Sequence, residues 1–168
     1  NNGNFFFESQ GGSETKAHYL CYDLKKGDGW RSNTDFTSQN FYLALKQSLP
    51  SKIGELIIRE ELTIMNRLEH QPGGLTDIEF FSTPQLSKRD RNWFSVDWRI
   101  LNLSIAFKPF SSKWSYNLDV FKLDAQRSAL GIFREGAAEV DYDEDRTLIF
   151  SNFNTGGFDL RATKIFKT

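Results

Sequence analysis

Apolar residues along most of the chain recur at every second position, the period of a half-buried strand. Residues 4–9, with Phe5-Phe6-Phe7, and residues 16–24 read as two strands joined by the turn signal Gln10-Gly11-Gly12-Ser13. Lys25-Lys26-Gly27-Asp28-Gly29 breaks the pattern. Thr37 or Ser38 then predicts the cap of a short helix running to Ser48, with Phe41, Leu45 and Leu49 on one face. Residues 53–68 fit two templates. On strand spacing, Leu56, Ile58, Leu62, Ile64 and Leu68 alternate with Glu55, Arg59, Glu61, Thr63 and Arg67. On helical spacing, Ile53, Leu56, Ile57, Ile64, Met65 and Leu68 share a face. The β-branched residues favour the strand; the alternative is an α+β chain with a helix at about 52–69. Gln71-Pro72-Gly73-Gly74 ends the element either way.

The rest of the chain reads as β: a short strand at 76–82, a long one at 93–108, then 113–123, 129–134, 146–153 and 158–166. Asn154-Thr155-Gly156-Gly157 reads as a turn. Two strands change phase midway. Val96, Trp98 and Ile100 lie on one face, and Leu101, Leu103, Ile105 and Phe107 on the other. Tyr116, Leu118 and Val120 give way likewise to Phe121 and Leu123. Such a slip predicts a β-bulge, or a strand passing between sheet layers. The fold class that follows is mostly β: a single-domain β-sandwich or β-barrel of residues 1–168, with about 8–10 strands and one or two short helices.

The chain's 168 residues and 19.4 kDa are the size of one domain. No apolar run approaches the ~18 residues of a membrane helix, so no transmembrane segment of that kind is predicted. An eight-stranded membrane barrel fits the length, but the strands read as short and charged, without a continuous lipid-facing band. A net charge of −1 argues against nonspecific nucleic-acid binding, which draws on Lys and Arg to neutralise phosphates. The densest basic cluster, Lys88, Arg89 and Arg91, contains Asp90 and reads as a solvated loop. The lone Cys21 excludes an intrachain disulfide and reads as a packed strand residue. The chain opens on Asn1 rather than Met, which suggests a processed product or a piece of something longer. Compartment and cofactor stay unassigned.

Groups suited to catalysis are scarce. Two histidines, His18 and His70, limit imidazole chemistry, and no G-x-S-x-G, P-loop or G-x-G-x-x-G sequence is present. Asp23-Leu24-Lys25 at a strand end, with Glu8 or Glu14 upstream, has the residue types of a metal-dependent nuclease: two carboxylates to hold Mg²⁺ and a Lys for the attacked phosphate. Asp141, Asp143 and Asp145 carry the alternating spacing of a calcium loop. Arg146 replaces the glycine an EF-hand needs, which leaves a looser turn site or an exposed acidic hairpin. Trp30, Trp93 and Trp114 stand in a loop and at strand starts, where aromatic rings offer a surface to a ligand or partner. Gly27-Asp28-Gly29-Trp30 resembles the Gly-x-Trp start of lipocalin-like barrels, with Asp28 where that glycine belongs and the rest of the pattern absent.

Aromatic residues are 15% of the chain, including 16 Phe, more than a core of this size obviously needs. With so few catalytic groups, the expectation is a non-catalytic structural or protein-interaction module, a subunit or processed part of a larger assembly with other protein chains. A lipocalin-like barrel holding a small apolar ligand, a lipid or pigment, is the second expectation. A small metal-dependent nuclease-like enzyme is the third.

Overall fold

The computed structural model describes residues 2–72, 74–87, 92–132, 146–164 and 166. Period-two alternation sets seven strands: β1 (Gly3–Gly12), β2 (Lys16–Gly27), β3 (Phe36–Pro50), β4 (Gly54–His70), β5 (Trp93–Pro109), β6 (Trp114–Ile132) and β7 (Arg146–Lys164). They pair in chain order as one antiparallel sheet. The fold is mostly β, with one short helix, α1 (Asp77–Ser82), among the described residues. β1 and β7 do not pair with each other, so each leaves one edge of the sheet without a neighbouring strand among these residues.

Several sequence expectations change. Residues 37–48, expected as a helix, form a strand, whereas residues 54–68 are the strand that the β-branched residues favoured. The apolar spacing of four in Phe41, Leu45 and Leu49 is a multiple of two, so it fits a strand as well as a helix. Leu43, on the same strand face, fills the gap a helix would leave unexplained. Residues 76–82, expected as a strand, form α1 instead. Thr76 caps it: its hydroxyl accepts from the Glu79 N–H at 3.4 Å, and the Glu79 carboxylate accepts from the Thr76 N–H at 2.8 Å. This is the Thr-x-x-Glu capping box. Thr76→Ala is expected to cost α1 about 1 kcal/mol locally. Amide hydrogen exchange at Phe80 would report it as faster exchange with the sheet unchanged; equal rates would dismiss the cap.

Among the described residues, seven strands stand where eight to ten were expected, because segments fuse. Asn154-Thr155-Gly156-Gly157 is the middle of β7, opposite Asp124, Leu123, Lys122 and Phe121. A Cβ on Gly157 would stand 2.8 Å from Cε1 of Phe121, so the glycine admits that ring rather than making a turn. The phase slips are not bulges either. β5 pairs residue for residue with β4 from Trp93 to Pro109 and with β6 from Trp93 to Phe107. The backbone keeps its register, and what changes midway is which face carries the apolar residues.

Two features of length stand out. β3 to β7 run 15 to 19 residues, against five or six for an ordinary strand. The strands are long, not short as the sequence pattern suggested. The connections also alternate. At one end of the sheet they are residues 13–15, 51–53 and 110–113; at the other they are 28–35, 71–92 and 133–145.

Candidate functional site: the two faces of the sheet

The register assigns every strand residue to a face, because directly paired residues point the same way. The buried apolar residues Ile57, Val96, Ala125 and Ala129 all lie on one face. That face is the better covered of the two. It is called the inner face below.

The outer face carries a contiguous apolar band. Tyr22 on β2 stands beside Phe41 on β3 and Ile64 on β4. Leu56, Phe107, Tyr116 and Ala162 form one transverse row nearer the short connections. Ile58, Ile105, Leu118 and Leu160 form the next. The most uncovered are Leu160, 70% exposed, and Phe158, 77%, both on the edge strand β7; Ile64, Val120 and Tyr116 stand between 37% and 44%, and the remaining ones on β2 to β6 are half-buried. Glu60 interrupts the band between Leu45 and Leu103. Trp114 and Tyr116 border it at the short-connection end, where the Lys164 ammonium lies 5.5 Å from the Trp114 ring centre. Toward the long connections, the outer face of β5 to β7 is mixed: Asp97, Arg99, Lys122, Asp124, Gln126 and Asn154 are polar, and beyond them Trp93, Leu130 and Leu148 form an apolar row, with Phe150 61% exposed beside it.

The inner face is more polar where β3 to β7 carry the band, although Phe121 also lies on it. Behind the apolar band it is charged: Lys46, Arg59, Ser104, Asp119 and Asp159 lie in one row across β3 to β7. Glu61 and Arg161 sit one row to either side. Arg161 donates to Asp159 through Nε at 2.9 Å. Ser104 donates to Asn117 Oδ1 at 3.3 Å, and Asn117 in turn donates to Asp119. Farther toward the long connections the inner face becomes apolar, where Val96, Trp98, Ile100, Leu123 and Phe153 line a shallow concavity. Trp98 shares this face with Val96 and Ile100, as their alternation predicts, and is 41% exposed.

Of the candidate site residues, the structure brings Asp23 and Lys25 together, with Glu8 on the same face, and sets Glu14 and the tryptophans apart. Asp23 and Lys25 form an ion pair at 2.8 Å on the inner face. Glu8 shares that face, opposite Cys21. Glu14 lies in the 13–15 connection, roughly 25 Å along β2 from Asp23. Among the described residues, no three His, Cys, Asp or Glu side chains are grouped to hold a metal ion. Asp141, Asp143 and Asp145 lie outside the described residues, as do Lys88, Arg89 and Arg91. Trp93 opens β5 opposite Leu130, and Trp114 lies at the far end of β6, about 50 Å along the strand. Trp30 projects from the 28–35 connection, 61% exposed, with the Arg31 guanidinium 5.9 Å from its ring centre. The three tryptophans therefore mark separate places, two of them at the end with long connections. The charged inner row went unnoticed in the sequence. Its residues are the polar half of each alternation, and only the register aligns them.

No protein-family model and no curated protein matches this chain. Among solved structures, it is similar to the ferric citrate transporter FecA in its unliganded form, with a TM-score of 0.79 at 20% identity. The match covers 100% of this chain and 24% of that one. At that identity the likeness is one of fold. No helix among the described residues is long and apolar enough to cross a membrane, which leaves crossing by strands open.

Proposed function

We propose that this chain is a sector of the wall of a membrane-spanning antiparallel β-barrel, part of a larger protein of the transporter kind. The observation that carries this is the exposed apolar band on the outer face, backed at the same level by a charged inner face. Such a band is costly in water, and so large an uncovered apolar surface marks contact with something apolar. In hydrocarbon it is the expected solution: lipid-facing and lumen-facing residues alternate along every strand. The alternation of short and long connections is also that of membrane barrels. Trp114 and Tyr116 then belong to an interfacial aromatic girdle.

Hydrocarbon leaves no water to satisfy an open sheet edge. The free edges of β1 and β7 therefore call for further strands, and the same polypeptide is the simplest source, given that the chain spans about a quarter of FecA. This reading keeps the expected non-catalytic, structural role within a larger assembly. A small apolar ligand remains a second reading, favoured by the concavity beside Trp98. The likeness to a transporter supports passage of a solute through the enclosed space, without naming the solute.

Trypsin applied to membranes bearing the full chain tests the proposal. Cleavage is expected in the exposed connections, at Lys52 and Lys113, while Arg59 and Lys108 within the strands stay intact. Early cleavage at Arg59 and Lys108 would overturn it.

A further inference from the structure

Resting on the barrel reading, we infer that a hollow on the outer face, between Lys16 and Glu60, binds the head group of an ethanolamine phospholipid. Glu60 faces outward from β4 inside the apolar band, between Leu45 and Leu103 on the paired strands. Ile58 and Leu62 flank it on the same strand face. Among the described residues, no hydrogen bond or ion pair holds its carboxylate. An ionised group set among apolar neighbours in a membrane is costly and calls for a partner.

The surroundings of Glu60 have the shape of a site. On the outer face, Lys16, Gln47 and Ile58 form one transverse row, and His18, Leu45 and Glu60 form the next. These six line a shallow hollow of about 350 Å³. Gly11 makes room for it. A Cβ there would stand 2.9 Å from Cε1 of His18, so the imidazole lies over the bare backbone of β1 and not over Leu45. Lys16 and Glu60 stand at opposite corners of the block, roughly 12 Å apart between Cα atoms, from two strand spacings of ~4.8 Å and two residues of ~3.3 Å. Both are exposed, and both side chains are long enough to reach into the space between them. The hollow also lies at a step in the band. On β2 the apolar run Leu24, Tyr22 and Leu20 gives way to His18 and Lys16, whereas on β4 it resumes past Glu60 with Ile58 and Leu56.

In the barrel reading the outer face touches lipid, so a phospholipid is the molecule at hand to fill the hollow. Its phosphate accepts hydrogen bonds from the Lys16 ammonium and the Gln47 amide. A primary ammonium on the head group donates to the Glu60 carboxylate. Charge-assisted bonds of this kind are the strong ones. A choline head group has no N–H to donate, and a glycerol head group has no cation for Glu60. Ethanolamine satisfies both corners. The acyl chains then lie along Leu43, Leu62 and Leu101, the next row of the band. A barrel wall as such needs only an apolar outer surface. The selection among head groups comes from Lys16, Gln47 and Glu60.

Native mass spectrometry tests this on the full chain, released from a mild detergent holding equimolar dioleoyl phosphatidylethanolamine, phosphatidylcholine and phosphatidylglycerol. One ethanolamine lipid should be retained in roughly tenfold excess over either competitor, the worth of one charge-assisted hydrogen bond. Glu60→Gln should erase the preference over phosphatidylcholine, and Lys16→Gln should lower the retention of all three lipids. Circular dichroism first shows that each variant keeps its strand content. Equal retention of the three lipids by the unaltered chain, or an ethanolamine preference that survives Glu60→Gln, overturns the inference. Trypsin on the same protein in phosphatidylcholine vesicles separates the two readings. With Arg59 and Lys108 intact and no lipid preference, the barrel stands and the head-group site falls. With both residues cut early, the barrel reading falls and takes the site with it.

Discussion

Leu118→Arg is expected to destabilise the full chain in phospholipid vesicles by about 2–4 kcal/mol, the cost of an Arg on the lipid face of a barrel near the bilayer midplane. Leu118 points outward from β6 between Ile105 and Leu160. Its paired neighbours on that face are apolar, so the guanidinium would find no carboxylate beside it. Asn102→Arg supplies the comparison. Asn102 points to the inner face on the adjacent strand, directly opposite Glu61. A cation there meets a carboxylate in polar surroundings, and the change should stay within about 0.5 kcal/mol. Denaturant titration in vesicles, followed by loss of strand signal, reads both values. Equal costs for the two variants would mean that the outer face does not lie in hydrocarbon. A large cost for Asn102→Arg alone would reverse the assignment of the faces.

The strands were legible in the sequence because alternation is local. A residue's neighbours two positions away suffice to show it, and residues 16–24, 53–68 and 93–108 fall within β2, β4 and β5 or overlap them closely. The helix expected at 37–48 failed because a spacing of four serves both periods. The helix at Asp77–Ser82 was missed because its signal is the pair Thr76 and Glu79, not a periodicity. The phase slips were visible, but their cause was not. A bulge and an unbroken strand whose apolar residues change face give the same sequence pattern, and only the unbroken pairing of β4, β5 and β6 separates them. The candidate site suffered most. Lys46, Arg59, Asp119 and Asp159 lie on four different strands, and no sequence spacing predicts that they align. Conversely, Trp30, Trp93 and Trp114 looked alike as exposed aromatics, although the structure puts Trp30 and Trp93 at the long-connection end of the sheet and Trp114 at the other.

Gly54→Ala is expected to cost about 1–3 kcal/mol, the range for inserting atoms into a tightly packed place. Gly54 is buried where β4 begins, opposite Pro109. A Cβ there would stand 2.6 Å from the Lys108 carbonyl oxygen and 2.8 Å from Cε2 of Phe107. The ring can rotate, but the carbonyl belongs to backbone. Gly54 cannot retreat easily either. The Ser51 N–H donates to its carbonyl at 2.9 Å, and its own N–H donates to Ser51 Oγ at 3.2 Å. On the other side, the Phe110 N–H donates to the Ile53 carbonyl at 3.1 Å. Gly74→Ala is the contrasting substitution, since nothing lies within 4 Å of its added Cβ, and it should change stability by no more than about 0.5 kcal/mol. Unfolding midpoints of the two variants in the same vesicles decide the matter, and two unchanged midpoints would show that the approach at Gly54 is not tight. The consequence reaches beyond the turn. This corner joins the pairing of β3 with β4 to that of β4 with β5. A one-residue slip there would move Leu56, Ile58, Leu62 and Ile64 to the charged face. A glycine that lets the backbones meet closely thus keeps the apolar band of β4 on the outer face.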